Sequence, residues 1–157
     1  MAIRKFKNTD TAQIVTLFYE TVHTVNARDY SLEQLEAWAP IDEKEAKIAD
    51  WKDTLSRNIT YVAEIGGTII GFSEMTATGY LNRLYIHKDF QGQGLASAFI
   101  QILEREAKSL KLDEIRTDAS ITAKSFFERH GYQVIQSQSV ERRGVLLVNF
   151  NMVKKIE

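Results

Sequence analysis

Between Ile59 and His87 three β-rich runs follow one another with very little chain between them. Ile59–Ile65 ends at Gly66-Gly67, Thr68–Met75 ends at Ala77-Thr78-Gly79, and Tyr80–His87 comes next. A Gly-Gly connection is long enough for a hairpin and far too short for a crossover, so these strands are antiparallel neighbours. The chain then changes period. Leu95, Phe99, Ile102, Leu103, Ala107 and Leu110 recur at helical spacing, and a short β run follows at about 114–119. A strand–helix–strand unit over 80–119 predicts a right-handed parallel crossover. The two halves together predict an α/β fold. Its sheet is mixed and mostly antiparallel, of about seven strands, with helices on both faces.

The remaining elements fit that frame. Residues 2–6 read as a short first strand. Asp10 with Gln13 three residues later suggests a capped helix start, and Ile14, Leu17, Phe18, Thr21, Val22 and Val25 carry that helix to about residue 25. Two further helices are expected at 31–38 and 42–56, parted by the single proline, Pro40. A helix at about 122–130 and strands at about 132–140 and 143–153 complete the order. There is no repeat or linker, so the 157 residues are expected to form a single domain.

Composition removes several kinds of chemistry. The chain has no cysteine, which excludes disulfides, thiolate nucleophiles and zinc–sulfur sites. Its three histidines, His23, His87 and His130, are far apart, and no metal site is expected. The net charge is −1 with no basic stripe, which speaks against a nucleic-acid partner. No apolar run approaches a membrane span and the N-terminus lacks a signal-peptide core, so a cytoplasmic protein is expected.

One segment asks for a ligand. Gln91-Gly92-Gln93-Gly94-Leu95-Ala96 sits between the third strand and the amphipathic helix. A helix N-terminus carries unpaired N–H groups and a partial positive charge, and glycine lets a phosphate come close to the main chain. The same glycines would also suit a plain strand–helix turn. A Walker loop fails because Leu95 follows Gly94. The dinucleotide fingerprint has Ser97 at its third glycine position, although Asp113 lies at a workable distance for a ribose contact. The pattern Q/R-x-x-G-x-G/A is matched fully by Gln91, Gly94 and Ala96.

With that loop the chain resembles the GNAT superfamily of N-acetyltransferases. Arg83 to Phe90 is similar to the family's strand and lead-in. Thr117-Asp118-Ala119-Ser120, Ala123 and Phe126-Phe127-Glu128-Arg129-His130-Gly131-Tyr132 are similar to its following strand, helix and "FYEKxGF" segment. The resemblance is strong over about residues 59–135. It implies acetyl-CoA as cofactor, with the pyrophosphate on the N–H groups of Gln91, Gly92, Gln93, Gly94, Leu95, Ala96 and Ser97. It also implies a pantetheine arm on the main chain of Leu84 and Ile86, near Ser120, Ala123 and Phe127. Arg129 and Lys124 are within reach of a phosphate.

Acetyl transfer to an amine needs a neutral amine, a polarised thioester and a leaving thiolate. Without cysteine, direct attack in a ternary complex is expected, with the main-chain N–H around Leu84 as oxyanion donor. The chain departs from the family at two places. Phe127 stands where a tyrosine often protonates the thiolate, and Tyr80 and Asn82 stand where Glu or His often serves as base. If the second turn is centred on Thr78, Glu74 pairs opposite Asn82 and shares the face of Tyr80, Asn82, Leu84 and Ile86. Glu74 is then the expected base and Tyr80 an acid or orienting group. The acceptor, a primary amine on a small molecule or a protein, is expected near His23, Asn26, Tyr30, Trp38 and Asn82. Tyr30 and Trp38 also suit packing between helices. A non-catalytic acyl-CoA-binding sensor is the alternative, and a homodimer is open alongside a monomer.

Overall fold

The computed structural model describes residues 1–157. The strands are β1 (Ala2–Lys5), β2 (Ile59–Ile65), β3 (Thr68–Met75), β4 (Tyr80–Ile86), β5 (Glu114–Ser120), β6 (Gln133–Arg142) and β7 (Val145–Lys155). The helices are α1 (Thr11–Thr24), α2 (Leu32–Trp38), α3 (Lys44–Arg57), α4 (Leu95–Ser109) and α5 (Lys124–Arg129). All seven strands join one sheet in the order β1-β2-β3-β4-β5-β7-β6. Only β4 and β5, joined by the α4 crossover, run parallel; the other pairs are antiparallel, including β1 and β2, which are joined through α1, α2 and α3. This is the mixed, mostly antiparallel sheet that the hairpin and crossover patterns predict. No helix is long and apolar enough to cross a membrane.

Each face of the sheet carries its own core. On one face Ile14, Phe18 and Val22 of α1 and Trp51 and Leu55 of α3 pack on Val62 of β2 and Phe72 of β3. On the other, Phe99 of α4 packs with Ala63 and Ile86, while Leu103 meets Met75, Leu81, Ile115 and Met152. Burying each of these large side chains contributes about 1.5–3 kcal/mol. The two cores hold β4 from both sides, which fixes the strand that the candidate site is built on.

Two local expectations are corrected. Gln13 does not cap α1: its carbonyl accepts the Ile69 N–H at 3.0 Å, tying α1 to β3. The Asp10 carboxylate instead accepts the Lys7 N–H at 2.8 Å and a two-pronged Arg4 pair at 2.8 and 2.9 Å. The second correction matters more. The β3–β4 turn is centred on Thr78 as expected, since Met75 pairs Leu81 and the Thr76 N–H donates to the Tyr80 carbonyl at 2.9 Å. One step further the register slips. Glu74 pairs Arg83, not Asn82, because Asn82 is the extra residue of a β-bulge. A bulge inverts strand parity, so Tyr80, Asn82, Leu84 and Ile86 do not share a face. Leu81 joins the α4-side core that Leu84 and Ile86 pack against, whereas Arg83 and Tyr85 face α1 and α3.

Candidate active site

The site begins where the sheet fails to close. β4 and β5 share only two residue pairs, Tyr80–Arg116 and Leu81–Thr117, and then part. A cavity of about 510 Å³ opens in the fork, lined from both faces of the sheet. The His87 N–H donates to the Ile70 carbonyl at 2.8 Å, and the Ser73 hydroxyl donates to the Arg83 carbonyl at 2.8 Å. Main-chain groups alternate along a strand, so those of Leu84 and Ile86 point away from β3 and into the gap. The Ile86 carbonyl is already taken, accepting from the Gln91 side chain at 2.6 Å. The Leu84 main chain is left for a ligand.

One end of the cavity is made of main-chain donors. Gly92 and Gly94 have φ of +71° and +81°, and a Cβ at either would meet nothing within 4 Å. The first main-chain bond of α4 runs from the Ala98 N–H to the Gly94 carbonyl at 3.0 Å. The N–H groups of Gln91 through Ser97 therefore have no main-chain acceptor, and they surround open space at a helix N-terminus. Gln91, Gly92, Gly94, Leu95, Ala96, Ser97, Ser120, Ala123 and Phe127 line the cavity, and Gln93 does not. Arg129 lines it too, as does His130, whose ring meets the Ser97 hydroxyl at 2.9 Å. Lys124 is drawn off by Glu128 at 3.5 Å. The Ser120 hydroxyl accepts the Ala123 N–H at 3.1 Å. Phe127 is 3% exposed and presents only ring carbon to the cavity.

The other end is made of side chains, and here the expected residues scatter. Asn26, Trp38 and Asn82 line the cavity. His23 and Tyr30 do not: the His23 ring is held on the Ala39 carbonyl at 2.8 Å, and the Tyr30 hydroxyl donates to the Val148 carbonyl at 2.7 Å. Both are struts. Glu74 is fully buried and away from the cavity lining. Its carboxylate accepts from Asn58 at 2.8 Å, from Asn82 at 3.2 Å and from Arg83, whose guanidinium lies 3.9 Å from the centre of the Trp51 ring. A carboxylate so enclosed touches no acceptor directly. Tyr80 also lies outside the lining, and its hydroxyl donates to Asp118 at 2.8 Å. Burial, and then the Asp118 carboxylate, push its phenol well above the ordinary tyrosine range.

Among the lining residues given no site role from the sequence are Tyr85 and Asp118. Tyr85 stands between Leu84 and Ile86, and the inverted parity sends its ring to the α1 side, 5.1 Å from Phe18. Burial pushes its phenol up as well, against the opposing pull of Arg83 and the Trp38 indole. Asp118 lies between Thr117 and Ala119, whose side chains are buried toward α4. That alternation was visible in the sequence and places Asp118 on the opposite face.

Comparison with known proteins agrees with this geometry. Residues 26–154 match the family model described as an acetyltransferase (GNAT) domain. The chain is 35% identical over 150 residues to the uncharacterized N-acetyltransferase YafP of Escherichia coli strain K12, covering 96% of this chain and 93% of that one. A GCN5-related N-acetyltransferase from Rhodopseudomonas palustris superposes with a TM-score of 0.90 at 32% identity, covering 98% of this chain and 94% of that one. The PaiA N-acetyltransferase of Thermoplasma acidophilum, crystallised with coenzyme A, has the same fold at a TM-score of 0.78 and 20% identity, with 98% of each chain covered. The chain belongs to the GNAT family and is an acyltransferase of that family.

Proposed function

We propose that the protein transfers an acetyl group from acetyl-CoA to a primary amine, on a small molecule or a protein, by direct attack in a ternary complex. The observation that carries this is the run of N–H groups from Gln91 to Ser97 at the mouth of the fork. It fits a diphosphate: the donors are unpaired, and the space a Cβ would fill at Gly92 and Gly94 is open. Arg129 adds a positive charge at the same end. Acetyl-CoA supplies an acetyl group already activated as a thioester.

The remaining steps belong to this chain. The Leu84 N–H points into the gap and serves as donor to the developing oxyanion. Glu74 is a positioning residue: it holds Asn82 and Arg83 at the cavity wall. Phe127 has no proton to give, so the thiolate leaves without a phenol at that position. The walls from α1 and α2, with Asn26 and Trp38, hold the acceptor.

The test is release of free thiol from acetyl-CoA across a panel of amines. The chain has no cysteine, so the protein adds no background to a thiol reagent. Amine-dependent release is expected. Acetyl-CoA binding with no release on any amine would favour the non-catalytic sensor, and no binding would overturn the reading.

A further inference from the structure

Asp118 is the one carboxylate lining the cavity, and the steps above leave it unused. It follows Thr117, the last β5 residue paired with β4, so it stands at the crotch of the fork beside the bulge residue Asn82. Leu84 lies two residues beyond Asn82, about 7 Å at the usual rise of a strand. Three groups hold the carboxylate. Tyr80 donates to one oxygen at 2.8 Å, while Gln138 at 2.9 Å and Asn151 at 3.1 Å donate to the other. All three donors are neutral, so no cation is paired with the carboxylate. A carboxylate offers about four acceptor positions, which leaves one free.

The neighbouring charges sharpen the picture. At the same end, Arg83 is paired with buried Glu74, and Arg28 lies 3.4 Å from Asp29. Arg129, the cation without such a partner, lines the cavity on α5, at the loop end. The uncompensated charge is therefore positive where a phosphate would rest and negative where the acceptor would enter. Tyr85 and Trp38 supply aromatic wall beside it.

We propose that Asp118 receives the ammonium group of the acceptor, and that the acceptor class is cationic primary amines with no carboxylate of their own. This rests on the acetyl-transfer reading above. Tyr80, Gln138 and Asn151 are positioning residues that aim the carboxylate. Asp118 binds and orients the acceptor, and the amine gives its proton to solvent water before it attacks the thioester.

The experiment compares wild type with Asp118→Asn on an alkylamine, a zwitterionic amino acid of similar size and an aniline, which is neutral at pH 7. Wild type is expected to favour the alkylamine over the zwitterion. Asp118→Asn should lower kcat/KM for the alkylamine by about 10-fold or more, mainly through KM, and change the aniline rate by less than about 3-fold. A merely structural Asp118 would lower both rates together. An unchanged alkylamine-to-aniline ratio, or a wild-type preference for the zwitterion, overturns the proposal. Should melting curves show that the variant is unfolded, the wild-type panel decides alone. Calorimetric titration with acetyl-CoA separates the two levels. Retained binding with an unchanged ratio overturns the Asp118 role only, whereas no binding overturns acetyl transfer with it.

Discussion

The two ends of the cavity are built on different principles. At the loop end the unpaired groups are main-chain N–H donors from Gln91 to Ser97, presented by two glycines with positive φ. At the fork end they are side chains from α1, α2, β4 and β5, aimed by strand register and by partners such as Tyr80 and Glu74. A main-chain site depends on local sequence alone. A side-chain site depends on which way each residue points, and one extra residue in a strand reverses that. The loop end therefore tolerates side-chain change but not a lost glycine, and the fork end behaves the opposite way.

The harshest test of this contrast is Gly94→Val. At φ +81° a Cβ costs about 1–2 kcal/mol in backbone strain, which the fold should survive. The added side chain occupies the open space at the donors, so acetyl-CoA affinity should fall by about 100-fold or more. Calorimetry together with a melting curve reads both effects. Affinity within about 3-fold of wild type would erase the distinction between the two ends.

Glu74→Gln probes the fork end. The change leaves the Arg83 guanidinium, which is 20% exposed at the cavity wall, beside a neutral amide, a loss of roughly 3 kcal/mol in folding stability. A denaturant midpoint measures it. A large drop in rate with stability unchanged would instead restore Glu74 as a base acting through water.

Tyr80→Phe is the mildest change. It removes one hydrogen bond to Asp118, worth about 1 kcal/mol. The folded state raises the Tyr80 pKa, so the hydroxyl's contribution is complete below the unfolded value of about 10 and fades as pH climbs toward the folded one. The stability gap between wild type and variant should be flat from pH 7 to about 10 and narrow above it. A gap that widens above pH 10 would mean that the phenolate, not the phenol, is the favoured form.

The same contrast explains what could be read from the sequence. The sheet, its single crossover and the loop followed from hydrophobic period and glycine placement, which act over short range. The turn centred on Thr78 was also legible. The bulge at Asn82 was not, because nothing in Tyr80-Leu81-Asn82-Arg83 marks an extra residue; it arises from fitting Leu81 and Leu84 into the same side of the sheet. Glu74 was misplaced for that reason, and Tyr85 was missed. His23 and Tyr30 are polar residues in the right neighbourhood whose partners, the Ala39 and Val148 carbonyls, are set by tertiary packing.

Hydrogen exchange at the Gln91–Ser97 amides, with and without acetyl-CoA, tests the central claim most directly. The N–H groups of this stretch have no main-chain acceptor, so they should exchange fast in the free protein. On binding acetyl-CoA they should slow together, while the α4 amides beyond Ala98 change little. Binding of acetyl-CoA that leaves these amides fast would show that the loop is only a turn and that the cofactor sits elsewhere.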